Sequence, residues 1–261
     1  MPIWLYNISQ LHAGLCIIVF VELVSLAGLL VTRRYLIPRF HFGNGINDAV
    51  SGTVQAIGVF YGITVGLIAV AVWNTNTSAA DMVSREASAV GALYRDVSAY
   101  PSPLREELQG ILRRYTVYVI EEAWPSQQKG ELPVPGKSII DDFQARLYTF
   151  EPVTQSQIAL HNETVSAYNH LLEYRHLRID AVKSGLSNTM WAVIWLGAAI
   201  SIGVAYFYQI EDVKLHAVLV VLMSGFLAVV LFMIVINDKP FYGTSSISPE
   251  PYKLILARLM N

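Results

Sequence analysis

The sequence predicts an all-α membrane protein with four transmembrane helices and a helical soluble domain between the second and the third. Two observations support this fold class. The chain of 261 residues is 54% apolar and only 15% charged, which is too apolar for an ordinary soluble domain. Most charges lie in the middle of the chain, whereas four long apolar runs occupy its two ends.

Each apolar run is long enough to cross the hydrocarbon core, which takes about 20 helical residues. Glu22 is the only acidic or basic residue within the four runs. The predicted spans cover residues 11–31, 51–73, 189–208 and 216–236. They divide the chain into a first transmembrane pair (1–73), a helical soluble domain (74–188), a second transmembrane pair (189–236) and a C-terminal tail (237–261).

The soluble domain opens with a predicted helix over residues 77–100. No Gly or Pro separates it from the second span, so we expect one continuous helix. Its apolar stripe recurs at helical spacing and consists of Val83, Ala87, Val90, Tyr94 and Val97. Ser102 followed by Pro103 then predicts an N-cap and the first position of a further helix, which we expect to stop at Pro125.

The rest of the soluble domain is predicted as a loop and two helices. Residues 125–137 hold three prolines and two glycines, which is typical of a loop. Residues 138–150 form a short helix, and Thr154 with Gln157 fits a capping box that opens a long helix ending near Gly185. The last ten residues form an amphipathic segment suited to the membrane surface or to packing on a neighbouring subunit.

The sequence carries no signature of an enzyme. Its six histidines have no partner at metal-site spacing, and it holds neither a phosphate loop nor a nucleophile elbow. The net charge of −2 gives no reason to expect a nucleic-acid partner. We therefore predict no catalytic, metal or cofactor site.

The second span has an unusual face. Gly58, Gly62 and Gly66 stand four residues apart, and at 100° per residue Gln55 and Asp48 fall on the same line. Glycines at this spacing allow close helix packing. The same face is also suited to line a pore or border a subunit axis. In an oligomer, close helix packing and lining of the pore can occur together.

Glu22 is the second candidate. A carboxylate in mid-span costs about 2.5–3.5 kcal/mol unless it is neutralised, paired or hydrated, and the other spans hold no cation to pair with it. Two interpretations remain open. Glu22 is either a protonated group that hydrogen-bonds between helices or part of an ion-binding or proton-coupled site.

The chain carries several motifs: MPIWLYNI, Arg33-Arg34 with Pro38-Arg39, Asn47-Asp48, Trp73, Arg85-Glu86-Ala87 with Leu93-Tyr94-Arg95, Glu121-Glu122-Ala123-Trp124-Pro125, Asp238-x-Pro240-Phe241, and Ser248-Pro249-Glu250-Pro251-Tyr252. Together they resemble a widespread family of bacterial membrane proteins that carry a bestrophin-like domain. The resemblance implies homo-oligomers of four-span subunits around a central pore, with a helical domain in the cytosol. Bestrophins are anion channels lined by their second transmembrane helix, with a cation-selective bacterial relative, and their aromatic neck is not evident here.

These patterns together predict an oligomeric ion channel in the bacterial inner membrane, with the second span along the ion pathway. Glu22, Asp48 and Gln55 are its expected polar determinants, and the two carboxylates give a slight preference for cations. The expected partners are inorganic ions, the lipid bilayer and further copies of the chain. A stator-like subunit and a non-conducting scaffold or sensor are the alternatives. Charges near the spans do not decide the orientation, whereas the resemblance implies a cytoplasmic soluble domain.

Overall fold

The computed structural model describes residues 6–40, 43, 45–132, 136–244 and 246–260, and within these ranges the chain is helical with no strand. The first five residues of the opening motif MPIWLYNI lie outside the described residues. The helices are α1 (Gln10–Val31), α2 (Ile46–Asp96), α3 (Leu104–Tyr118), α4 (Trp124–Gln128), α5 (Gly136–Leu147), α6 (Gln155–Val182), α7 (Asn188–Ala205), α8 (Val213–Asp238) and α9 (Glu250–Leu259).

Four of these helices, α1, α2, α7 and α8, are long and apolar enough to cross a membrane, as the sequence predicts. The predicted continuation of the second span is also confirmed, because α2 runs unbroken over its whole length. The third span ends earlier than expected. After Ala205 the backbone NH groups of Tyr206 and Phe207 bond carbonyls only three residues back, at 3.3 and 3.2 Å, and this tightened turn closes the helix.

The chain divides into two compact units, and the division falls within α2. Unit 1 contains residues 1–74 and 185–238, and unit 2 contains residues 75–184 and 239–261. Unit 1 therefore holds α1, the first part of α2, α7 and α8. Unit 2 holds the rest of α2, the helices from α3 to α6, and α9.

Unit 1 is a four-helix bundle with an apolar centre. Small residues on α1 and α8, such as Ala13 and Ala228, are buried where these helices approach each other, as expected for packing in lipid. Large apolar side chains on the outside, such as Phe20, Leu67 and Phe226, are exposed in the bundle and suited to contact lipid. The buried centre includes Ile17, Val21, Val65, Ile68, Val72, Ile194, Ala198, Leu231 and Ile234.

Unit 2 has a separate core built on the predicted stripe of α2. Val83, Ala87, Val90 and Val97 are buried, as predicted. Tyr94 was expected in the same stripe but is only half-buried. A neighbouring side chain, Leu93, occupies the buried position instead.

The start predicted for α3 is wrong by a short distance. Pro103, rather than Ser102, occupies the N-cap position, and no side chain caps the helix. The carbonyls of Pro101 and Pro103 instead accept bonds from the NH groups of Arg105 and Glu107, at 3.1 and 3.2 Å. The first turn is thus completed by the backbone alone.

The predicted stop at Pro125 is also wrong. The chain passes from α3 through a π-helical turn, Val119–Ala123, directly into α4. Pro125 falls in the first turn of α4, where a helix tolerates a residue without an NH group. The helix ends a few residues later, near Gly130, whose φ of +79° suits glycine and turns the chain out of the helical path.

The capping box of α6 is confirmed. The Thr154 hydroxyl accepts a bond from the backbone NH of Gln157, and the Gln157 side chain accepts one from the backbone NH of Thr154, at 3.2 and 3.1 Å. Helix α6 ends at Val182 with Lys183 as its C-cap, close to the predicted end. Residues 133–135 of the predicted loop lie outside the described residues.

A buried ion pair joins three helices of unit 2. Arg178 on α6 donates from Nε and Nη2 to the Glu86 carboxylate on α2, at 2.5 and 3.2 Å. The Tyr115 hydroxyl on α3 donates to the same carboxylate at 2.6 Å. Burial raises the pKa of Tyr115 well above its ordinary value, so this hydroxyl stays protonated and remains a donor.

Replacing Glu86 with Gln tests how much the core depends on this pair. The change leaves the Arg178 charge buried without its counter-charge, so we expect the free energy of unfolding of unit 2 to fall by about 3–5 kcal/mol. Thermal unfolding of the purified protein in detergent measures the effect.

Asp81→Asn is the matched control, because it removes a carboxylate from the same helix. Asp81 pairs with Arg85 at 2.7 Å, but both side chains are more than half exposed. We expect an unfolding temperature close to that of the wild type. Equal losses in the two variants would contradict the role given to the buried pair.

Candidate ion pathway in the membrane-spanning unit

Five of the six candidate residues lie on one face of α2. Asp48, Gln55, Gly58, Gly62 and Gly66 are all exposed in the subunit. The buried side chains of this part of the helix include Tyr61, Val65, Ile68, Ala69 and Val72, and they centre roughly 80° from the glycines around the helix. The glycine face therefore borders the buried face of α2, and the glycines themselves are not covered by the other helices of unit 1.

The three glycines make no close contact within the subunit. A Cβ atom added at Gly58, Gly62 or Gly66 would meet no atom of another described element within 4 Å. They therefore do not mediate packing against α1, α7 or α8. Close packing by these glycines stays a prediction, and it requires a helix from outside the subunit.

Tyr61 fixes which face of α2 remains open. Its hydroxyl donates to the backbone carbonyl of Ile194 on α7 at 2.9 Å. Its ring lies so close to Gly197 that a Cβ atom there would collide with it. This contact is a close helix approach through a glycine, and it orients α2 with the glycine face outwards.

Polar bonds hold the beginning of α2 beside Asp48. Asn47 donates from its amide to the carbonyl of Gln209 and accepts from the NH of the same residue, at 3.2 and 2.8 Å. Ser51 and Tyr208 share a hydrogen bond of 3.0 Å between their hydroxyls. The sequence analysis marked Asn47 only as part of a motif and did not identify its partner.

Glu22 lies elsewhere, between α1 and α8. The Ser224 hydroxyl donates to Glu22 Oε2 at 2.9 Å. The other oxygen, Oε1, lies 2.7 Å from the point where Gly225 would carry a Cβ atom. The absence of a side chain at Gly225 thus leaves room for the carboxyl group, and the structure does not bring Glu22 together with the α2 residues.

Arg33 and His216 bind each other at the end of the bundle. Arg33 Nη1 lies 3.3 Å from His216 Nδ1, and His216 Nε2 lies 3.1 Å from the carbonyl of Ala205. Because a guanidinium only donates, Nδ1 is the acceptor and Nε2 carries the proton. This buried histidine joins the ends of α1 and α7 to the start of α8. Sequence reasoning gave it no role.

Among the described residues no group of three or more His, Cys, Asp and Glu side chains is suited to hold a metal ion. Cys16 is a free, exposed thiol on α1. What the site offers is a polar and glycine-rich helix face that the subunit leaves uncovered.

Comparisons with known proteins agree with this architecture. A family model described as a bestrophin-like domain matches residues 19–252, while no curated protein matches the chain. Two solved structures of variants of a bacterial bestrophin homologue from Klebsiella pneumoniae are similar. One has a TM-score of 0.64 at 11% identity, covering 95% of this chain and 97% of that chain. The other has 0.63 at 12%, covering 98% of both.

Replacing Gly197 with Ala tests the contact that orients α2. The added methyl group collides with the Tyr61 ring, and overpacking of this kind costs about 1–3 kcal/mol. We expect a lower thermal unfolding temperature in detergent. Gly203→Ala on the same helix is the control, because its Cβ atom would meet nothing within 4 Å. An unchanged unfolding temperature in Gly197→Ala would contradict the contact.

Proposed function

Since the chain belongs to the bestrophin-like family, we propose that it is the subunit of a homo-oligomeric ion channel whose pathway is bordered by α2. Bestrophins are ion channels, and the family supports that general function. One observation of the subunit carries the more specific proposal. The side of helix α2 that carries Tyr61 is buried against other helices of the subunit. The side that carries Gly58, Gly62 and Gly66 is left open, with no neighbouring helix among the described residues.

The cost of polar groups in lipid favours an oligomer. Gln55 is exposed on the open face of α2 within the predicted span, and Asp48 is exposed just before that span. A polar side chain in contact with hydrocarbon is unfavourable. The centre of the subunit is filled by apolar side chains, so it offers these groups no water. Further copies of the chain around a common axis would place the open face beside a hydrated pathway.

We propose that Asp48 gives the pathway a slight preference for cations. A ring of carboxylates at one end of a pore concentrates cations and repels anions. Glu22 contributes less, because its carboxyl group accepts a bond from Ser224 in the seam between α1 and α8. Its proposed role is to hold these helices together.

We also propose that unit 1 lies in the membrane and that unit 2 lies in the cytoplasm. Unit 1 contains the helices that can cross a membrane up to about Asn74. Unit 2 has its own core with a buried ion pair, which is typical of a soluble domain. The proposed location is the bacterial inner membrane, with unit 2 in the cytoplasm.

Ion flux in liposomes tests the proposed role of Asp48. We expect purified wild-type protein to conduct, and we expect Asp48→Asn to lower the ratio of potassium to chloride permeability roughly twofold or more, because the local cation concentration falls. Flux is measured under opposed potassium and chloride gradients.

Two further substitutions complete that experiment. Glu151→Gln removes an exposed carboxylate from unit 2 and should leave the permeability ratio unchanged. Glu22→Gln retains an acceptor for Ser224 and should also conduct normally. If a folded oligomer shows no flux, the proposed channel function is wrong and the scaffold or sensor alternative is favoured.

Cysteine accessibility tests whether the glycine face borders the pathway. The single native cysteine makes this possible in a Cys16→Ser background. We expect a cationic thiol reagent to reduce flux through Gly62→Cys by at least about half. Thr64→Cys is the matched control, because two residues further along α2 the side chain points about 200° away. Equal block of both variants would contradict the proposed face.

A further inference from the structure

An apolar crevice opens at the end of unit 1 where Arg33 binds His216. Its volume is about 270 Å³, which is less than the roughly 300–1,000 Å³ of most small-molecule sites. Val54 of α2, Tyr208 after the end of α7, and the first turns of α8 line it. Because the lining is mainly apolar, the crevice suits an alkyl chain better than a polar solute.

The crevice follows α8 into the membrane. His216, Leu219, Val220 and Met223 line it and lie on one face of that helix. His216 is the first residue of the predicted span, and Met223 lies about 10 Å further along the helix axis. The polar end of the crevice is therefore at the membrane surface and its apolar end is inside the hydrocarbon layer, which is the orientation of a phospholipid.

Cationic side chains lie at the polar end of the crevice. Arg33 Nη1 is 3.3 Å from His216 Nδ1, so its guanidinium is one side chain away from the crevice. Arg34 and Arg39 are exposed in the π-helical and 3₁₀ turns that follow α1. No carboxylate among the described residues forms an ion pair with any of these three arginines.

An aromatic contact holds the turn after α1 beside the mouth of the crevice. The Phe40 ring lies 6.3 Å from the Phe207 ring, and Phe207 directly precedes Tyr208, which lines the crevice. Tyr35 and Phe40 are both more than half exposed. Exposed aromatic rings at the end of a span favour the headgroup layer of a bilayer, so the three arginines lie at the depth of the lipid phosphates.

We propose that the crevice and these arginines together bind one anionic phospholipid, with an acyl chain in the crevice and the phosphate at Arg33. A phosphate accepts hydrogen bonds from guanidinium groups and supplies the counter-charge that the arginines lack within the subunit. A zwitterionic lipid also fills the crevice but brings its own cation to the arginines, so it binds less tightly. The site lies in unit 1 and does not depend on whether the protein conducts ions.

Lipid-dependent stability of the full-length protein in detergent tests the site. We expect saturating phosphatidylglycerol to raise the thermal unfolding temperature by roughly 3 °C relative to phosphatidylcholine with the same acyl chains. Water-soluble glycerol phosphate at the same concentration should not reproduce the rise, because it has no acyl chain. Equal stabilisation by the two lipids, or by phosphatidylglycerol and glycerol phosphate, would contradict the proposal.

Two pairs of variants locate the bound lipid. Arg33→Gln should raise the phosphatidylglycerol concentration needed for half of the effect at least about fivefold. Arg258→Gln removes an exposed guanidinium from unit 2 and should respond like the wild type. Leu219→Trp narrows the crevice and should also weaken the response, whereas Leu222→Trp places the same ring at an exposed position outside the crevice and should not.

Each variant is compared with its own unfolding temperature in phosphatidylcholine, so a loss of stability by itself does not imitate a loss of lipid binding. If Arg33→Gln and Leu219→Trp respond to phosphatidylglycerol as the wild type does, the proposed site is wrong. An equal loss of response in Leu219→Trp and Leu222→Trp would also overturn it.

Discussion

The contact between Tyr61 and α7 sets the geometry of the membrane-spanning unit. Its hydroxyl donates to the backbone carbonyl of Ile194, and its ring fills the space that Gly197 leaves free. Hydrophobicity alone does not orient a helix in lipid, because every face of it is apolar. A single aromatic side chain with a polar tip supplies the missing orientation and thereby decides which residues of α2 face away from the subunit.

The two units stabilise their interiors by different means. Unit 1 relies on small residues and a few hydrogen bonds between helices, such as the bond from Ser224 to Glu22. Unit 2 contains an ion pair that is closed to solvent and bonded by Tyr115. Such a pair is not a strong source of stability by itself, because desolvation offsets the attraction. It does require the three helices that supply it to meet in one arrangement.

Local patterns predicted most of the fold, and distant contacts explain what was missed. The four spans, the stripe of Val83 and the cap at Thr154 depend on neighbouring residues, so the sequence reveals them. Tyr61, Glu86 and Glu22 acquire their roles from partners on other helices, and periodicity does not indicate which helices meet. The face of α2 was predicted from helical geometry, but its orientation followed only from the contact with α7. Pro125 was misread because a π-helical turn precedes it.

That π-helical turn, Val119–Ala123, has a further consequence for how this chain can vary. A wide turn amounts to one residue inserted into an α-helix. Deleting any one of the five would restore regular spacing and rotate everything beyond it by about 100°. The Trp124 ring would then lose its contact with the guanidinium of Arg178. This loss would occur without any substitution in the core. The number of residues in this turn is therefore constrained more tightly than their identity. A related protein with one residue fewer here would need different side-chain packing in the core of unit 2.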